Sequence, residues 1–249
     1  MELYQKIFSV FAEEADRSLI DEIHMGLGYT MVTLQDGRSG ICVTWCDQSR
    51  AYMVNTDPND YEGRSALQLL RHIKDGEHPF SRMMAIALVN ALNQRFAASL
   101  PETPHDWAKR LDLGEGAAVA MIGHFSPVSM RFEEIGSTVR ILDLGRNIGD
   151  PDQFYPWAIK EADLLAVTAT SLVNGTLEQI LDRFKERTLP VLLMGPSTIL
   201  HPEVYEDLPI NYLAGSAVVA KNDMLKAVRN GRGTLDIHHQ AKKVYLNLG

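Results

Sequence analysis

The sequence predicts an α/β protein, with a Rossmann-like parallel-sheet domain preceded by a smaller α+β domain. Residues 117–122, Ala-Ala-Val-Ala-Met-Ile, form an unbroken apolar run that stops at Gly123-His124. Such a run, unlike an alternating one, suits a strand covered on both faces. The same grammar, an apolar run ending in small polar residues, recurs at 163–176 and 189–198. Helical patterns separate the runs, which is the β-α-β-α order of a parallel sheet. The first hundred or so residues read differently: two roughly alternating stretches meet at Asp36-Gly37, a hairpin signal, with helical segments around them.

Composition narrows the function classes. The chain has 249 residues and 45% hydrophobic content, enough for one large or two modest domains with a real core. A formal net charge of −8 argues against a broad nucleic-acid footprint. Neither an apolar span of about 18 residues nor a signal-peptide core is present, so the expectation is a cytoplasmic protein without membrane insertion. Cys42 and Cys46 lie in Cys-Val-Thr-Trp-Cys. On a strand they share a face but sit too far apart to bridge, and they read as buried thiols. As a metal pair they would need further ligands from elsewhere.

Leu3, Ile7, Val10 and Phe11 predict a helix over 2–15. Strands are expected at 29–34 and 40–46, after a glycine-punctuated link at 25–29. A turn-rich loop spans 55–61, and a helix spans 65–73 and breaks at 74–79. The clearest helix of this half covers 80–96, with Ser81 as N-cap and with Asn90 and Asn93 as caps or cleft-facing groups. Pro101, Pro104, Gly114 and Gly116 mark a linker. We therefore expect an α+β domain at 1–100, a linker at 101–116 and the Rossmann-like domain at 117–249. In the latter, strands are expected at 117–122, 138–144, 163–169 and 189–194, with apolar segments across 210–219. Helices are expected at 127–134, 157–161, 175–186 and 222–229, and a long polar loop at 145–156. Ser126 reads as an N-cap and Pro127 as the first helical residue. A glycine turn at 231–233 leads to a tail with His238, His239 and an edge strand at 244–248.

Three strand ends carry the candidate site, because ligands of open α/β sheets bind outside the carboxyl ends of the strands. Gly123 lets a ligand approach the backbone, His124 can meet an anion, a metal or a proton, and Phe125 completes the turn. One glycine here, where a dinucleotide fingerprint needs several, argues against NAD. Asp143, near the end of the second strand, is placed for a ribose hydroxyl or for a structural turn. Thr170, Asn174, Gly175 and Thr176 open a helix whose N–H groups suit a phosphate or carboxylate. Gly195, Pro196 and Ser197 close the fourth strand with a stiff turn and a hydroxyl. His201, Glu203, Glu206 and Asp207 read as surface charge.

Taken in order, several stretches resemble a known family of two-domain proteins, the "putative heavy-metal chelation" proteins. The resemblance rests on Ile122-Gly-His-Phe125, Glu161-Ala-Asp163, Asn174-Gly-Thr-Leu-Glu178, Gly195-Pro-Ser197 and Leu213-Ala-Gly215. In the first half it rests on Gly28-Tyr-Thr30, the Gly40 strand and residues 85–92. It implies an enolase N-terminal-like domain packed on a Rossmann-like domain, with the site in the cleft between them. No barrel follows the first domain, so enolase chemistry is not implied.

The leading expectation is a protein of metal homeostasis that binds a small anionic or metal-chelating molecule, with a metal ion or metal chelate as its cofactor or cargo. Whether it turns its ligand over stays open, as does self-association into a homo-oligomer. The alternatives are a transferase or other enzyme on a nucleotide-like substrate, and a non-catalytic regulatory subunit that binds a partner.

Overall fold

A computed structural model describes residues 2–45, 57–74, 79–103 and 107–249. Cys46, residues 55–56 of the expected loop, residues 75–78 of the expected helix break and residues 104–106 of the expected linker lie outside the described residues.

The chain opens with helix α1 (Glu2–Arg17), which buries Leu3, Tyr4, Ile7, Phe11 and Ala15 along one stripe. Strands β1 (Ile20–Met25), β2 (Tyr29–Leu34) and β3 (Ser39–Val43) form an antiparallel meander in that order. Short α2 (Ala66–Leu70) is capped by Ser65, whose hydroxyl accepts from the Leu67 N–H. Helix α3 (Pro79–Leu92) lies across β2 and β3, and its residues 83–89 are all buried. The contact is close because β3 offers Gly40: a Cβ there would stand 2.1 Å from the Ala91 nitrogen and 2.3 Å from the Ala87 oxygen. Helix and strand touch backbone to backbone.

Helices α4 (Gln94–Ser99) and α5 (Trp107–Arg110) lead to the larger sheet. It contains β4 (Ala118–Ile122), β5 (Thr138–Leu142), β6 (Leu164–Thr168), β7 (Val191–Met194), β8 (Tyr212–Val218) and β9 (Ala241–Asn247). Their connections are α6 (Ser126–Glu134), α7 (Pro151–Glu161), the pair α8 (Thr170–Asn174) and α9 (Leu177–Asp182), and α10 (Lys221–Arg229) with α11 (Thr234–Ile237). Spatial order is β5-β4-β6-β7-β8-β9, parallel from β5 to β8, with β9 antiparallel. The chain leaves β4 on one side for β5 and returns on the other for β6, so the connections diverge there and open a crevice. Alternate strand residues serve two cores. Val119, Leu164, Leu192, Met194 and Ala214 pack with Trp107 and Phe132 on one face. Ala120, Ile122, Leu165, Val167 and Leu193 face the other way and share one apolar cluster with α1, α2 and α3. The meander unit is thus fused to the sheet through a common core.

Several local expectations change. β1 lies where no strand was expected; it is half-exposed and its register shifts between Ile20 and Glu22, which spoils the alternation. α7 begins at Pro151, inside the expected loop: the Asp150 carboxylate accepts from the Asp152 N–H and Pro151 fills the first turn, despite Pro156 further in. The helix expected over 175–186 is the shorter α9, and a separate short helix, α8, stands before it and is ended by Gly175 at φ 78°. Ser81 is no N-cap; it is buried within α3 and its hydroxyl donates to Asp57 at 2.7 Å. Asn90 donates to the Ile41 carbonyl at 2.9 Å, and Asn93 donates to the Leu200 carbonyl at 2.8 Å. Ser126 stands inside the first turn of α6, one residue past the cap position at Phe125. Residues 101–103 do not hang free: the Thr103 N–H donates to the Lys243 carbonyl, and the Tyr245 N–H to the Pro101 carbonyl. They cover the outer edge of β9, a position that would otherwise expose unpaired backbone. Among the described residues, no helix is long and apolar enough to cross a membrane.

Candidate functional site

The carboxyl ends of β4, β6 and β7 open into a crevice of about 1640 Å³. Val43, Thr44 and Trp45, at the end of β3, form part of its wall, so both units border it. Every residue expected at the strand-end site borders this space except Gly175. Gly175 stands behind the wall, where a Cβ would lie 3.3 Å from Arg82 Nη1.

The β4 end is built from main-chain contacts. Gly123 has φ 88°, and its N–H donates to the Leu142 carbonyl at 2.8 Å. A Cβ on it would stand 2.6 Å from Thr168 Cβ, so glycine lets the ends of β4 and β6 close up at the switch point. Asp143 accepts the His124 N–H (3.0 Å) and the Arg146 N–H (3.1 Å), one on each carboxylate oxygen. The Arg146 guanidinium donates to the His124 carbonyl at 2.8 Å. Asp143 is therefore engaged as a turn carboxylate, and a ribose hydroxyl would have to share its oxygens. The His124 ring is left facing the crevice, with Nε2 3.2 Å from the Ser126 hydroxyl.

At the β6 end, Thr170 N–H donates to Thr168 Oγ1. Asn174 Oδ1 accepts the Thr176 N–H (3.2 Å) and the Thr176 hydroxyl (2.7 Å). Asn174 thus fixes Thr176 and does not cap α9. At the β7 end, Gly195 (φ 130°) passes its N–H to the Ala214 carbonyl, and Pro196 stiffens the turn. Ser197 is 2% exposed, and its hydroxyl accepts the Val43 N–H at 2.9 Å. That hydroxyl clamps β3 onto β7 across the crevice.

Sequence reasoning missed the charged groups. Among the described residues, Arg131, Arg146, Arg183, Lys242 and Lys243 border the crevice, against Glu102 and Asp143. The tail also returns to it through Thr234 and His238. The Tyr29 and Thr234 hydroxyls meet at 2.8 Å, which anchors α11 to β2. Burial, reinforced by nearby Lys243 and His239, holds His238 below the ordinary imidazole range. No local motif marks these positions; they come from α6, the turn after β5, the end of α9, an edge strand and a tail that the folded chain gathers.

The chemistry of the donors can be tested against a metal. Among the described residues, no three His, Cys, Asp or Glu side chains group to hold one. Cys42 is buried, burial pushes its thiol up to about 12, and it has no cluster of further ligands around it among the described residues. The described residues do not fit a metal ion gripped directly by side chains.

The fold and crevice define a class: an enolase N-terminal-like α+β unit packed on a Rossmann-like sheet, with a crevice bordered by both. Family models described as "Putative heavy-metal chelation" match residues 8–93 and 106–247, and the chain belongs to this family. An uncharacterized protein of Methanocaldococcus jannaschii is 23% identical over 230 residues, covering 88% of this chain and 86% of that one. A crystal structure from Pyrococcus horikoshii, titled as a protein of unknown function, is 24% identical with a TM-score of 0.79, covering 98% of this chain and 99% of that one. Another, from Desulfitobacterium hafniense, is 18% identical with a TM-score of 0.75, covering 98% of each. At these identities the two structures establish the fold alone.

Proposed function

We propose that the protein binds a small anionic, metal-chelating molecule in this crevice and that the metal arrives as cargo already held by that molecule. The meander unit, residues 1–100, forms one wall and the Rossmann-like unit, residues 117–249, the other. Gly123, Phe125, Thr170, Gly175, Gly195 and Pro196 shape or support the pocket. His124, Thr176 and the basic side chains meet the ligand's polar groups. Asp143, Asn174 and Ser197 hold the surrounding turns in place.

One observation carries this reading. In a chain of net charge −8, the crevice gathers five Lys and Arg side chains against two carboxylates among the described residues. Such a cleft concentrates anions and repels free metal cations. It therefore supports an anionic chelate over a bare ion, and brings the family description into line with a crevice that lacks a side-chain metal cluster among the described residues.

Equilibrium dialysis tests it, using Fe, Co, Ni, Cu and Zn salts with and without small-molecule cell extract. Metal retained only with extract, together with an organic anion, is the expected result. Tight retention from the salts alone would overturn the cargo reading. Retention of neither metal nor anion would overturn ligand binding altogether.

A further inference from the structure

Resting on that reading, we propose that the ligand is elongated, with an anionic group at each end and a flat apolar middle. Two crevice cations lie far apart, and among the described residues no ion pair to a carboxylate is seen for either. Arg183 follows α9, beyond β6, and its guanidinium lies 4.3 Å from the centre of the Tyr155 ring. That stacking holds the group in place without neutralising it. At the opposite end is Lys243 on β9, whose backbone pairs with Ser216. Beside it, Lys242 Nζ donates to the Ala98 and Leu100 carbonyls at 3.2 and 2.8 Å, with no carboxylate partner among the described residues.

Three strand intervals separate β6 from β9, or about 14 Å at the usual spacing of neighbouring strands. A single carboxylate or phosphate cannot reach both ends. The lining also includes Trp45, Pro196 and Phe125, whose ring reaches from the end of β4 to within 4.0 Å of a Cβ built on Gly195 at the end of β7, surfaces that suit a ring face better than a hydrated ion. The crevice, at about 1640 Å³, also exceeds the roughly 300–1,000 Å³ of sites for ordinary small ligands. Charge at both ends, aromatic lining and surplus volume together select a planar polyanionic chelator.

Three probes separate the parts. Bathophenanthroline disulfonate is a planar chelator with sulfonates at its far ends, 1,10-phenanthroline has the plane without the charges, and citrate has charge without the plane. Calorimetric titration should give tight 1:1 binding for the disulfonate and binding weaker by about tenfold or more for the other two. Arg183→Ala and Lys243→Glu should each weaken the disulfonate by about tenfold or more, as expected when one charge-assisted contact is lost. Both side chains are exposed, so both variants should fold. Citrate binding as tightly as the disulfonate, with either variant silent, would overturn the elongated ligand and leave an anion-binding crevice standing. No binding of any probe, with dialysis also negative, would overturn the inference together with the reading beneath it.

Discussion

Gly40→Ala puts the packing argument under the most direct strain. The added methyl would stand 2.1 Å from the Ala91 nitrogen, 2.3 Å from the Ala87 oxygen and 2.5 Å from the Asn90 carbonyl carbon. All three are main-chain atoms of α3 or its immediate helical run, so no rotamer change gives relief. The shortest distance falls about 1.3 Å below the 3.4 Å at which ordinary contact begins. To make room, α3 must move out from β3, and with it the buried run 83–89 and the Asn90–Ile41 hydrogen bond. Overpacking usually costs about 1–3 kcal/mol; a backbone-on-backbone clash belongs at or above the top of that range, about 3 kcal/mol. For a chain of this size that lowers Tm by about 6–12 °C. Urea titration and thermal melts followed by circular dichroism measure it. Gly37→Ala is the control: φ is 86° but nothing lies within 4 Å, so only the backbone preference of about 1 kcal/mol is lost. Equal losses for the two variants, or a loss under about 1 kcal/mol at Gly40, would refute the close-contact reasoning.

Other expectations follow from the crevice and its walls. Gly123→Ala brings a methyl within 2.6 Å of Thr168 Cβ at φ 88°, so it should cost about 2 kcal/mol or more and weaken anion binding; unchanged affinity in calorimetry would mean the switch point is not the site. Ser197→Ala removes the acceptor of the Val43 N–H and should cost about 1–3 kcal/mol by urea titration. Asn174→Ala releases Thr176, so ligand affinity should fall more than stability does, a split that a pure helix cap would not show. The Cys42 thiol is raised from 9.0 to about 12 by burial. Both folded and unfolded thiols are protonated below pH about 9, so the full stabilisation is present there. It is lost as pH climbs toward about 12, because only the unfolded thiol ionises in that window, by up to roughly 4 kcal/mol. Urea midpoints between pH 8 and 11 should therefore fall more steeply for wild type than for Cys42→Ala.

The parallel sheet was legible because its strands are buried on both faces, which writes them as plain apolar runs such as 117–122 and 189–194. β1 escaped notice because Asp21, Glu22 and His24 interrupt it and the register slips beside Ile20. The signal for α7, Asp150-Pro151, lay inside a stretch whose polar composition reads as a loop, and Pro156 inside the helix does not stop it. Asn90, Asn93 and Ser197 show a different limit. Their residue types announce hydrogen bonding, but their partners, Ile41, Leu200 and Val43, lie at positions that local pattern does not select. Capping is the local answer to a polar residue at a helix end, and tertiary partners replaced it here.

The same distinction separates the two kinds of group in the crevice. Gly123, Asn174 and Gly195 follow buried strands directly, and a turn at a strand end needs small or polar residues whatever the ligand. Sequence therefore gave their place, while the hydrogen bonds give most of them a scaffold role. The charged groups follow no such rule. Arg183 ends a helix, Lys243 alternates with Lys242 on an edge strand, and either pattern also describes a solvated surface. They become a site because β9 folds back antiparallel beside β8 and carries the C-terminal residues to the ends of strands laid down a hundred residues or so earlier. Scaffold is encoded locally, in turns that must close, whereas charge is brought to the crevice by topology. Surface-charge substitutions at Arg183 and Lys243 should accordingly change ligand choice with little effect on folding, and replacing the strand-end glycines should lower stability and overall affinity while leaving the ranking of ligands unchanged.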